Sequence, residues 1–150
     1  MARVDYYLGK CMETLMLVSL FLTVAVTLAQ VIFRYVLGSS LAWSQELALI
    51  GFVYSVLFGA VVCLKNNDHL QVDLLDNAPL WMQKLSSIME FTIITIFILV
   101  LLYFGFQLFL NNLISGQVVG ILPVQKAYVY LALPLSAVFM LYFHIRKVMT

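Results

Sequence analysis

Four stretches of this chain carry no charged residue: 14–33, 47–64, 91–110 and 127–143, of 20, 18, 20 and 17 residues. A helix rising 1.5 Å per residue needs about 20 apolar residues to cross ~30 Å of hydrocarbon, so all four are long enough, the last only just. Hydrocarbon gives a backbone amide no partner, and only a helix satisfies its own N–H and C=O groups within one such segment. The pattern therefore predicts an all-α integral membrane protein with four transmembrane helices. It reads as a single four-helix domain over 1–150, with spans near 12–36, 43–65, 86–112 and 124–146. A secretory signal is the alternative for the first run, since "TLA" at 27–29 resembles a cleavage site. That run is longer than the 7–15 residues of a signal core and ends in Gln30 and Arg34, so it reads as an uncleaved helix.

The connectors differ in character. The first, "YVLGSSLAWSQE", is a tight hairpin with Gly38 for the turn, Ser39 or Ser40 as a helix N-cap, and Trp43 at interfacial depth. The second holds "KNNDHLQVDLLDN" and then "APLWMQKLSSIMEF". In the latter, Leu80, Trp81, Leu85, Ile88 and Met89 recur at three- and four-residue spacing after Pro79, as in a short amphipathic interfacial helix between the second and third spans; a simple extension of the third span is the alternative. The third connector, "NNLISGQVVGILPVQK", is apolar with two glycines at GxxxG spacing, Gly116 and Gly120, and is a candidate docking surface.

Composition agrees with lipid as the main solvent. The chain is 64% apolar and 10% charged, with a mean hydropathy of +1.05, against about half apolar and a quarter charged for soluble domains. A net charge of +1, with no Lys/Arg cluster among aromatics, argues against a nucleic-acid partner. Lys and Arg fall unevenly on the two sides. Arg3, Lys10, Lys65, Lys84, Arg146 and Lys147 lie on the side of the termini, and Arg34 and Lys126 on the other. The positive-inside rule places both termini in the cytoplasm.

Candidate chemistry is sparse. Ser19, Thr23, Thr27, Gln30 and Arg34 share one face of the first helix, a polar stripe expected to face protein. Arg34 leaves the first helix and Glu46 enters the second across a short hairpin, close enough for an ion pair that would lock the two ends. No ionisable residue lies mid-span, which argues against a pump, a carrier or a small multidrug exporter, whose acid sits inside its first helix. Asp68, His69 and Asp73 are metal-ligand types on a short segment but too few for a closed site. His69 and His144 could together ligate a haem, as in membrane anchors of redox complexes, but both sit at helix ends. Cys11 and Cys63 have no metal or disulfide spacing. No catalytic set is present, so no enzyme and no cofactor is expected.

In order along the chain, these residues resemble the small, DctQ-like membrane subunit of tripartite ATP-independent periplasmic (TRAP) transporters. The likeness rests on Phe33, Arg34, Tyr35, Ser40, Trp43 and Glu46 around the first turn. It continues through His69, Leu70, Gln71, Val72 and Asp73, and ends with Pro123, Tyr128, Tyr130 and Pro134. Gln45 and Gln71 stand where the family often has an acid and a base. The resemblance implies an accessory scaffold subunit in a bacterial inner membrane. Its partners would be a large, DctM-like membrane subunit that moves substrate by an elevator-like motion driven by sodium, and a periplasmic binding protein. The substrate would be a carboxylate such as sialic acid or a C4-dicarboxylate. Under it, Arg34, Trp43, Glu46 and Lys126 are partner-docking or hairpin-locking residues on the periplasmic side. Ser19, Thr23, Thr27 and Gln30 form an interhelical stripe, and His69 and Asp73 hold the cytoplasmic loop.

Overall fold

The computed structural model describes residues 2–66 and 80–149. Its helices are α1 (Ala2–Tyr35), α2 (Ser44–Asn66), α3 (Leu80–Ser115) and α4 (Lys126–Met149), with strands β1 (Val118–Val119) and β2 (Leu122–Gln125) between α3 and α4. All four helices are long and apolar enough to cross a membrane, and the protein is a multi-pass, all-α membrane protein. At 23 and 24 residues, α2 and α4 measure about 35 Å. At 34 and 36 residues, α1 and α3 exceed 50 Å and overhang at the end that carries the chain termini, the terminal end. The segment at 80–90 is helical, but as the first turns of α3 and not as a separate interfacial element.

The helices stand in a row, α1 against α2, α2 against α4, and α4 against α3. Burial follows that order: 28% and 33% of the apolar windows of α2 and α4 are buried, against 6% and 11% for α1 and α3. The two flanking helices therefore turn most of their surface outward, which costs nothing where the solvent is lipid.

Near the terminal end the four helices meet around Met12, Phe58, Val61, Leu64, Ile98, Met140 and Phe143. Toward the opposite, hairpin end the contacts are made by small residues. A Cβ on Gly51 would lie 2.6 Å from Thr23 Oγ1 and 3.1 Å from the Ser19 carbonyl oxygen; one on Gly105 would lie 2.9 Å from Leu133 Cβ. Lipid supplies no hydrophobic force between helices, so close approach and dispersion hold these crossings together.

The connectors correct two expectations. Gly38 adopts φ +64° and ends α1, with the Ser39 N–H donating to the Phe33 carbonyl at 3.1 Å. Helix α2, however, starts at Ser44 and is not capped by Ser39 or Ser40. The Leu41 carbonyl accepts both the Ser44 N–H (3.2 Å) and its hydroxyl (2.7 Å), closing a turn before the helix can begin. Gly116 (φ +61°) and Gly120 (φ +35°) are turn residues flanking β1, so their spacing reflects a β-hairpin and not helix packing. The strands pair antiparallel, Val118 with Gln125 and Val119 with Leu122, and the Lys126 N–H closes the base on the Gln117 carbonyl at 2.8 Å.

Candidate functional site

The hairpin end is organised by one carboxylate. Glu46 sits in the first turn of α2, where the exposed N–H groups of a helix start favour negative charge. Its side chain crosses to the β-hairpin: Oε1 accepts the Ile121 N–H at 2.9 Å, and Oε2 accepts the Ile121 and Leu122 N–H groups at 3.1 and 3.0 Å. Consecutive amides after a positive-φ glycine form a natural anion cradle. Gly120 supplies that conformation and leaves the carboxylate its space, since any Cβ there would collide with Glu46 Oε1. A second tie lies deeper, where the Tyr54 hydroxyl donates to the Tyr128 carbonyl at 2.6 Å. Together they join α2 to the β-hairpin at one level and to the first turn of α4 at another.

The expected pair of Arg34 with Glu46 does not form. Glu46 is taken by the Ile121 and Leu122 backbone donors, and the ion pairs among the described residues are Lys10–Glu13 and Asp5–Arg146. Arg34 is exposed, its guanidinium 5.9 Å from the ring centroid of the neighbouring Tyr35. Trp43 is 41% exposed. Lys126 reaches the Gln117 side chain, Nζ donating to Oε1 at 3.3 Å. Arg34 and Trp43 thus point away from the protein, while Glu46 and Lys126 are engaged with the hairpin.

In the polar stripe, Ser19 and Thr23 meet α2 at Gly51. The hydroxyls of Thr23 and Thr27 donate to the carbonyls of Ser19 and Thr23, four residues back, at 2.9 and 2.7 Å, and Thr23 Oγ1 also lies 3.5 Å from the Ala48 carbonyl across the contact. Thr27 is exposed and Gln30 half-buried. The Ser19–Thr23 part of the face packs on α2, while the Thr27 hydroxyl is satisfied on its own helix.

The terminal end holds contacts that periodicity did not single out. Asp5 accepts from the Tyr142 hydroxyl at 2.7 Å and pairs with Arg146, tying the first turn of α1 to the last turns of α4. His144 is buried, with Nε2 2.9 Å from Thr95 Oγ1 and its ring stacked on Phe91 at 4.4 Å. Asp5 and Tyr142 stand 137 positions apart, and sequence alone cannot pair them. His69 and Asp73 lie outside the described residues. Among the described residues no three His, Cys, Asp or Glu side chains gather as metal ligands.

Residues 23–150 match the family described as the DctQ component of tripartite ATP-independent periplasmic transporters. The chain is 29% identical over 137 residues to a Haemophilus influenzae protein named "Putative TRAP transporter small permease protein", covering 91% of this chain and 82% of the relative. It is 28% identical over 118 residues to the "Sialic acid TRAP transporter permease protein SiaT" of another strain of that species. That match covers 78% of this chain but only 19% of the relative, a much longer protein.

Proposed function

The chain belongs to the DctQ component family of the tripartite ATP-independent periplasmic transporters, and from that premise we propose that it is a non-catalytic scaffold subunit of a sodium-driven importer of carboxylates, such as sialic acid or a C4-dicarboxylate. It works beside a large membrane transport subunit and a periplasmic binding protein, in a bacterial inner membrane with both termini in the cytoplasm. The hairpin end then faces the periplasm, in keeping with the six-to-two distribution of Lys and Arg between the two sides.

The observation that carries this proposal is the clamp of Glu46 on the Ile121 and Leu122 amides, together with spans that hold no mid-membrane charge. A substrate path through lipid is built from ionisable or coordinating groups facing a cavity. Here Glu46, Thr23 and Tyr54 are engaged in holding helices and connectors in place, which is the work of a fixed support. The long relative supports a membrane partner, because in it a segment similar to this chain is one fifth of a single permease chain. In reconstituted vesicles the large subunit alone should import little or no substrate under a sodium gradient, and adding this chain should restore uptake. Full uptake without it would remove the proposal.

A further inference from the structure

Helix α3 ends the row and packs on α4, and its opposite side is uncovered. From the edge of that contact round to the far side, Leu99, Leu102, Tyr103, Phe106, Gln107 and Leu110 line a shallow, open groove along α3. Their spacing of three and four residues makes one straight stripe, the shape that accepts a single partner helix. Five of the six are apolar or aromatic and would suit lipid tails equally well.

Gln107 does not. It lies inside the charge-free run 91–110, is exposed, and makes no hydrogen bond among the described residues. Helical side chains lean toward the helix N-terminus, so its amide is directed toward the middle of the span and away from the polar residues at the C-terminal end of α3. An amide without a partner in hydrocarbon is costly, and acyl chains offer neither donor nor acceptor. The other flanking helix shows how polar groups are carried into lipid without that cost: Thr14 and Thr27 on α1 are exposed, but each hydroxyl donates to a carbonyl four residues back. Gln30 on α1 is half-buried, whereas Gln107 is exposed.

We infer that the outer stripe of α3 is the surface on which a transmembrane helix of the large subunit docks, with Gln107 hydrogen-bonded to a polar side chain or freed carbonyl of that helix. The inference rests on the proposed function for the existence of a large membrane partner and adds the face that meets it. Lipid as occupant leaves the amide unsatisfied. A second copy of this chain would satisfy it, and is distinguished by the experiment.

The test uses the full transporter, purified in mild detergent after replacing single positions with photoreactive p-benzoylphenylalanine. Positions 103 and 107 on the stripe are compared with position 21 on α1, where Phe21 is 75% exposed. Adducts between this chain and the large subunit should form from 103 and 107 at least about five-fold more than from 21. In parallel, Gln107→Leu, which keeps the apolar stripe, should reduce the large subunit retained on purification by about three- to ten-fold. If the large subunit copurifies with the unaltered chain but crosslinks equally or better from 21, the inference is overturned. Dimers of this chain, or lipid adducts alone, from 107 overturn it too. If no large subunit copurifies with the unaltered chain, the proposed function itself has failed, and the docking face falls with it.

Discussion

The carboxylate of Glu46 fills the space in which residue 120 would carry a Cβ, and Gly120 in turn holds the φ of +35° that aims the next two amides at that carboxylate. Each residue therefore requires the other. The contact joins residues 74 positions apart in sequence and converts an apolar connector into a fixed hairpin at the head of α2.

Coupling of this kind predicts a non-additive pair. Glu46→Ala leaves two amides without a charged acceptor and should cost about 1–3 kcal/mol. Gly120→Ala should cost a similar amount, through the positive φ and through displacement of the carboxylate. In the double variant only the backbone strain remains to be added, so its cost should fall short of the sum by about 1 kcal/mol or more. Thermal unfolding of the four proteins in detergent measures this, and simple additivity would show that the two residues act separately.

The α1–α2 crossing predicts a second coupling. A Cβ at position 51 meets Thr23 Oγ1 at 2.6 Å and the Ser19 carbonyl at 3.1 Å, so Gly51→Ala forces the helices apart and should cost about 1–3 kcal/mol. Thr23→Ala removes the first obstacle but not the second, which is backbone. Combining the two should recover part of the loss, again read from unfolding in detergent; full recovery would mean that the Ser19 carbonyl gives way more easily than the helix geometry implies.

The spans were legible because lipid imposes a length and an all-helical form on any apolar run, whatever its detailed sequence. The turn at Gly38 was legible for a similar reason, since a glycine between two such runs has few other uses. The partner of Glu46 was not. A carboxylate at a helix start reads most simply as seeking a nearby cation, and Arg34 was the nearest in sequence. The backbone amides that won the contest carry no side-chain signature, and Gly120 looked like part of a packing motif. The order of the helices in the row was hidden as well, because runs that are apolar on every side do not declare which face meets a neighbour.

At the terminal end, Asp5 bridges Tyr142 and Arg146 with side chains that remain a quarter to a third accessible. Such a pair is partly screened, so Asp5→Ala should lower stability by only about 1 kcal/mol, and less at high salt. Tyr142→Phe removes one neutral donor and should cost no more than Asp5→Ala. An exchange variant, Asp5→Arg with Arg146→Asp, should recover most of the ion-pair contribution but not the tyrosine bond. Equal stability of all these proteins would show that the packing of α1 on α2 alone fixes the start of α1.

The exposed residues of the hairpin end make the last prediction, because their side chains are not occupied in holding the fold together. Arg34 and Trp43 point outward, beside a hairpin whose Val118 and Ile121 are 51% and 62% exposed. If this end receives the binding protein, Arg34→Ala, Trp43→Ala and Ile121→Ser should each reduce substrate uptake by several-fold while leaving copurification with the large subunit unchanged. Glu46→Ala should reduce uptake and stability together, since it releases the hairpin that carries Ile121. Lys126→Ala, which loses only a bond to Gln117 within the hairpin, should have the mildest effect of the set. The separation of uptake from assembly is the informative result. Arg34 and Trp43 variants that lose the large subunit would place these residues in the membrane interface, and variants with normal uptake would leave the hairpin end a structural feature alone.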